Sequence, residues 1–148
     1  MKKLLSLALL LASTPTFATD ASITKSAKPP SMFSYINTGT STHRILLADF
    51  AHPTNVTMKL KNIRWSTTYF PDAINERVRL CYFEPYSNTE VETDCQFINP
   101  NSTGSINRFN GKKFGHGAKI HITHISEDLE KPAHALGEDA ITFEYSYQ

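Results

Sequence analysis

Apolar and polar residues alternate one by one along most of this chain, which is the pattern of half-buried β-strands. After the first 18 residues, no segment keeps a helical period over three turns. The alternating segments are residues 32–37, 43–50, 56–61, 77–83, 119–125 and 140–147. With a return strand through Cys95, the pattern predicts about seven strands.

One of these strands changes its phase part-way. Met58 and Leu60 lie on one side of the predicted strand, whereas Ile63 and Trp65 continue it on the opposite phase. One extra residue near Lys61–Asn62 brings the apolar side chains back to the same side. We therefore expect a β-bulge there.

The segments between the strands favour one domain. Residues 19–30 are mostly Ala, Ser, Thr and Lys with a Pro pair, which predicts a flexible lead-in. Residues 99–117 are rich in Asn, Ser and Gly and predict a loop with at most one short strand at 106–109. We expect residues 31–148 to form a single small antiparallel β-sandwich of the all-β class, with a small barrel as the alternative.

The first 18 residues have the three parts of a cleavable signal peptide. Lys2 and Lys3 supply positive charge, Leu4–Ala12 is apolar, and small residues precede a cleavage site after Ala18. The alternative is a membrane anchor, but about nine helical residues reach only about 14 Å, against a hydrocarbon core of about 30 Å. We therefore expect a periplasmic or secreted protein without a membrane anchor.

Cys81 and Cys95 are the two cysteines of the chain. In an oxidising compartment a disulfide is the expected state, and a turn at 85–89 places Cys95 opposite Cys81 across a hairpin. Closing a loop of this size stabilises a fold by about 3 kcal/mol on the chain-entropy model. A catalytic redox pair is disfavoured because such cysteines normally lie much closer in sequence.

Candidate catalytic and metal-binding residues are few. His116, His121, His124 and His134 are residues of the type that binds zinc, but His121 and His124 point to opposite faces of a strand. No serine lies in a Gly-x-Ser-x-Gly elbow, and oxidised cysteines are not nucleophiles. We therefore predict no catalytic residue, no metal and no cofactor, in a protein that is not an enzyme.

Basic residues on strands are the candidate partner-binding residues. Without the leader, the 15 basic residues fall to 13, against 14 acidic ones, which does not favour nucleic acid as a partner. Lys59, Lys61, Arg77 and Arg79 could share a sheet face that binds a protein partner, with a merely solvated face as the alternative. A second basic set consists of Arg108, Lys112 and Lys113.

A series of short motifs follows one order along residues 56–148. It comprises a Trp-containing strand, an Arg-Val-Arg-Leu-Cys strand, a second Cys, a Gly-rich stretch with a Phe, a Pro-Ala pair and a terminal strand. These motifs lie at Ile63–Trp65, Glu76–Cys81, Cys95, Gly104–Phe109, Pro132–Ala133 and Ala140–Tyr145. This order resembles that of the flagellar FlhE family of periplasmic proteins.

The resemblance implies a periplasmic β-sandwich that accompanies flagellum assembly and has no catalytic residues. It implies a chaperone-like or sealing factor that binds a component of the export apparatus or rod. It also implies a structural role for Cys81 and Cys95 and a core position for Trp65. Recognition would use an exposed strand edge or an aromatic surface.

The alternative function is a secreted carbohydrate-binding module, such as a small toxin binding subunit, in which aromatic side chains stack on sugars. Aromatic residues on alternating strands belong to the core more often than to such a surface. The residues that would form the platform are Tyr69, Phe70, Tyr82, Phe83 and Tyr86.

Overall fold

Eight β-strands and one 3₁₀ turn, at Leu47–Asp49, make up the regular structure of residues 17–91 and 94–148, which the computed structural model describes. The strands are β1 (Thr19–Ala27), β2 (Thr38–Arg44), β3 (Met58–Ser66), β4 (Arg77–Phe83), β5 (Cys95–Ile98), β6 (Thr103–Ile106), β7 (Lys119–Ile125) and β8 (Asp139–Tyr147). The predicted signal peptide lies almost entirely outside these described residues. Within them, no helix has the length and apolar character needed to cross a membrane.

The strands form two four-stranded antiparallel sheets. The strand order is β1-β8-β3-β6 in the first sheet and β2-β7-β4-β5 in the second. One hydrophobic cluster contains buried side chains of both, such as Leu60 and Phe143 from the first sheet and Leu80 and Ile122 from the second. The expected all-β sandwich is therefore confirmed.

Strands with large alternating side chains lie where the pattern predicts them. In β4, Val78, Leu80 and Tyr82 are buried in the shared core. In β3, the pairing with β8 shifts between Leu60 and Asn62, which confirms the expected β-bulge. The bulge keeps apolar side chains on the inner side of the strand over its whole length.

The prediction of a flexible lead-in at 19–30 is wrong for most of that segment. All nine residues of β1 pair with β8, from Thr19 opposite Tyr147 to Ala27 opposite Asp139. Ile23 is the one large apolar residue of β1, so the strand shows no apolar period. Backbone hydrogen bonds to β8 hold it in place instead.

The second strand also differs from the prediction. β2 lies between the segments predicted at 32–37 and 43–50, because its inward side chains are those of Gly39, Ser41 and His43 rather than apolar ones. Likewise, the short strand expected at 106–109 is β6 at Thr103–Ile106. Alternation of small and polar residues does not stand out as a strand pattern.

Trp65 lies at the margin of the core rather than in its centre. Its half-buried side chain packs against the main cluster. The indole covers Gly104 on the neighbouring strand β6, where an added Cβ would come within 2.4 Å of the Trp65 ring. A glycine at this position therefore makes room for the tryptophan.

A buried polar cluster fills the gap that the small side chains of β2 leave between the sheets. The His124 ring lies between two carboxylates, with Nδ1 2.6 Å from Glu76 and Nε2 3.0 Å from Asp139. Ser41 donates to Asp139 at 2.6 Å and lies 3.0 Å from Nε2 of His43. Each of these buried charged groups has a partner, and removal of one partner would leave the other as an uncompensated buried charge.

Candidate interaction face

The four predicted partner-binding residues lie on opposite surfaces of the molecule. Lys59 and Lys61 point outward from β3 in the first sheet, while Arg77 and Arg79 point outward from β4 in the second. The interpretation that they share one sheet face is therefore wrong. Alternation shows that a residue points away from the core, but the sheet to which it belongs depends on strand order.

On the outer face of the first sheet, most charges have a partner in the same sheet. Lys61 pairs with Asp20 at 2.8 Å, and Arg64 pairs with Glu144 at 2.6 Å. The Asn62 amide and the Arg64 guanidinium lower the pKa of Glu144 because both favour its carboxylate form. The remaining cation of the strand, Lys59, lies beside Lys113. This face thus neutralises most of its own charge.

The outer face of the second sheet has more cations than carboxylates. We call the outward residues of β2, β7, β4 and β5 the basic face. Strand register places Arg44 opposite Lys119, and Arg77 and Arg79 follow each other on the same side of β4. Like charges directly opposite each other on neighbouring strands are destabilising. Among the described residues, Arg44, Arg77 and Lys119 make no ion pair, whereas Arg79 pairs with Glu90.

Aromatic side chains lie among these cations. Phe97 of β5 is 57% exposed, and the Arg77 guanidinium lies 5.4 Å from the centre of its ring. Phe83 is covered by the Lys119 ammonium group, 5.0 Å from its ring centre. Such cation–π contacts hold the charged groups over the sheet without neutralising them.

The disulfide between Cys81 and Cys95, which the sequence predicts, joins β4 to β5 on this same face. The segment after β4, residues 84–91, folds back over one end of the face. Glu90 contributes the carboxylate that pairs with Arg79 at 2.8 Å, and Asn88 accepts a hydrogen bond from Lys119 at 2.9 Å. Lys119 is therefore buried beneath this segment, while Arg44 and Arg77 stay exposed.

The charged groups of the basic face affect the pKa of His121. Burial is the main cause that lowers the pKa of its imidazole, and repulsion by Lys119 adds to it. Attraction by Glu90 opposes this lowering, and repulsion by Arg44 makes a smaller contribution in the same direction as Lys119. The ring lies 4.6 Å from the Phe83 ring. A lowered pKa favours the neutral ring, so Arg44 and Arg77 supply the exposed positive charge of this face.

The other candidate histidines lie apart from each other. His124 is buried among Glu76 and Asp139 on the inner side of β7, opposite to His121, as the strand period predicts. His116 contacts the Tyr86 hydroxyl, and His134 contacts Ser31. These four rings therefore do not converge on one point.

In the described ranges, one group of possible metal ligands does converge, formed by Cys81, Glu90 and Cys95. Its two sulfur atoms are bonded to each other.

The second basic set is used within the fold. Lys112 pairs with Asp94 at 2.6 Å. Arg108 donates to the carbonyl oxygen of Cys95 at 3.1 Å. Lys113 lies beside Lys59, on the side of the first sheet.

The aromatic platform considered for sugar binding is mostly part of the core. Phe70, Tyr82 and Phe83 are buried, Tyr69 is half-buried, and Tyr86 is the exposed member, at 74%. A stacking platform needs accessible ring faces that lie side by side. The proposed residues do not provide it.

Sequence reasoning missed Arg44, Lys119 and Phe97. Arg44 falls inside the segment 43–50, which the pattern assigns to a separate strand, and Lys119 begins the strand that the pattern predicts at 119–125. Each is visible as an outward polar position, but their juxtaposition depends on the pairing of β2 with β7. The exposure of Phe97 follows from its position on an edge strand, which single-strand patterns do not reveal.

Comparison with known proteins gives a likeness in fold. No protein-family model and no curated protein sequence matches the chain. The crystal structure of FlhE matches with a TM-score of 0.53 at 11% identity, covering 85% of this chain and 96% of that one. The fold is FlhE-like. The structure of Tomato aspermy virus matches with a TM-score of 0.47 at 13% identity over 97% and 87% of the two chains. That of Turnip yellow mosaic virus matches with a TM-score of 0.45 at 8% identity over 89% and 94%.

Proposed function

We propose that this protein is a non-enzymatic periplasmic factor that acts in flagellum assembly or export by binding another protein, in a chaperone-like or sealing role. The observation that carries the proposal is the FlhE-like fold over 85% of the chain. The order of motifs along residues 56–148, which resembles that of the FlhE family, agrees with this fold likeness.

The surface supports a binding role. In the basic face, β4 pairs with β7 and is joined to β5 by the disulfide. The exposed cations and Phe97 are therefore held in defined positions. Surfaces of this kind recognise other proteins through complementary charge and aromatic contact. The proposed binding therefore needs no large change in the sheet.

The described residues that come nearest to a catalytic array support a non-enzymatic role. Ser41, His43 and Asp139 are in contact, but their exposed fractions are 2%, 1% and 0%. The Ser41 hydroxyl donates to the Asp139 carboxylate instead of to an imidazole base. A substrate cannot reach this serine, and its hydroxyl is not arranged for activation by a general base.

Deletion of the gene in its own host tests the proposal. We expect reduced swimming and swarming, or abnormal flagella in electron micrographs, and restoration of both by a plasmid copy of the gene. Normal flagella together with unchanged swimming and swarming would contradict the flagellar role.

A further inference from the structure

The basic face leaves positive charge available to another molecule. Arg44 and Arg77 are exposed, and neither makes an ion pair with a residue in the described part of the chain. Lys119 lies opposite Arg44 and adds its charge from beneath residues 84–91. An anionic ligand at this position relieves the repulsion between like charges on neighbouring strands.

The chain itself shows which anion this face accepts. The Glu90 carboxylate reaches back over the sheet and binds the Arg79 guanidinium at 2.8 Å. The planar fork of an arginine matches a carboxylate in shape as well as in charge. Arg77 is the next outward residue on the same strand and offers the same fork without a carboxylate partner among the described residues.

An apolar contact lies beside these charges. Phe97 is opposite Arg79 in the register of β4 and β5, and more than half of its side chain is exposed. Exposed aromatic residues next to arginines are typical of protein-binding surfaces. This favours a protein segment over a small anion as the occupant.

We propose that the basic face binds an acidic segment of another protein, whose carboxylates contact Arg44 and Arg77. The inference rests on the proposed function as a protein-binding factor and specifies the chemistry of the partner. From Arg77 to the row of Arg44, the face extends about 20 Å along the strands and about 10 Å across them. An extended segment of about seven residues covers that diagonal.

The acidic groups of this chain near the face leave room for such a segment. Glu90 occupies Arg79 from one side. Glu127 lies in the same surface depression as Arg77, but its carboxylate accepts a hydrogen bond from Asn75 at 2.6 Å. Neither Glu90 nor Glu127 forms an ion pair with Arg77.

Binding of a fluorescein-labelled peptide of about 15 glutamates tests the proposal, with a glutamine peptide of equal length as the control. We expect the anisotropy of the glutamate peptide to rise when the protein is added in low salt, and its affinity to fall as the salt concentration increases. We expect the anisotropy of the glutamine peptide to stay unchanged. In the variant R44E/R77E, we expect at least tenfold weaker binding. The matched variant is K59E/K113E, which makes the same change of charge on the opposite sheet without removing an ion pair, and we expect its affinity to stay within twofold of the wild type. Melting curves identify variants that fail to fold, and in that case R44Q/R77Q replaces the charge-reversal pair.

Two outcomes would overturn the proposal. The first is that the glutamate peptide does not bind. This holds also if heparin, an anionic polysaccharide measured in parallel, does bind. The other is equal loss in both charge-reversal variants, which shows a response to net charge alone. This assay is independent of motility. The deletion strain could swim normally while R44E/R77E, and not K59E/K113E, binds the peptide weakly. That result contradicts the flagellar role but supports the basic face as a site for an acidic segment.

Discussion

Two regions of this sandwich bring charged side chains close together, and they differ in where the opposite charge comes from. In the buried polar cluster, His124 lies between the carboxylates of Glu76 and Asp139, all supplied by this chain. On the basic face, Arg44 lies opposite Lys119 without a carboxylate among the described residues. Charges that are partnered internally hold the fold together, whereas charges left open are available for another molecule.

The largest effect on stability is expected inside the cluster. Asp139→Asn keeps the shape of the side chain but removes a charge that accepts hydrogen bonds from Ser41, Thr68 and His124. Breaking a buried charged pair destabilises by between about 3 and 5 kcal/mol. We expect a loss of that size in urea unfolding. The control is Glu144→Gln, the same change on the exposed side of β8, with an expected loss of no more than about 1 kcal/mol. Equal losses would remove the distinction between the two regions.

The charge of the cluster also predicts a dependence on pH. Burial opposes the charged form of His124, but hydrogen bonds to Asp139 and Glu76 outweigh it and raise the pKa to about 9. Because this value lies above the ordinary 6.5, the stabilising contribution is complete below about pH 6.5 and is lost as pH rises through about 9. It amounts to about 3 kcal/mol.

Comparison of the wild type with His124→Gln isolates this contribution. Both proteins keep His43, whose pKa is lowered mainly by burial and whose effect has the opposite sign. We expect the difference in unfolding free energy to shrink between pH 6.5 and 9.5. A constant difference over that range contradicts a charged His124.

The disulfide offers a comparison within the basic face itself. Replacing both Cys81 and Cys95 by Ala opens a loop closed over a separation of 14 residues. We expect the unfolding free energy to fall by about 3 kcal/mol through the greater freedom of the unfolded chain. Wild-type protein treated with a thiol reductant provides the matched measurement, and it is expected to unfold at the same denaturant concentration as the double variant. No change in either sample would show that the disulfide does not stabilise the fold.

The smallest effects distinguish the two outer faces. Arg44→Gln relieves the repulsion with Lys119, so we expect unchanged or slightly increased stability. Arg64→Gln removes the ion pair with Glu144 and is expected to cost between about 0.2 and 1 kcal/mol. Thermal unfolding at low salt measures the difference in sign. A larger loss for Arg44→Gln would mean that Arg44 serves the fold rather than a partner.

The sequence predicts the strands whose inward side chains are large and apolar, such as those of β4 and β7, because burial imposes a period of two on them. β1 and β2 escape prediction for a physical reason. β1 is held mainly by its backbone, and the inward positions Gly39, Ser41 and His43 of β2 serve a polar cluster. Arg77 and Arg79 could be predicted as outward residues, but their separation from Lys59 and Lys61 depends on strand order, which no local pattern contains.

The pairing of β1 with β8 also determines when this fold can be completed. Thr24 of β1 and Thr142 of β8 share a hydrogen bond across a sequence separation of 118 residues. β8 is an interior strand of the first sheet, so β1 and β3 have no common neighbour before β8 joins them. Contacts between such distant segments slow folding. The first sheet therefore cannot be completed until β8 is free to pair with both β1 and β3.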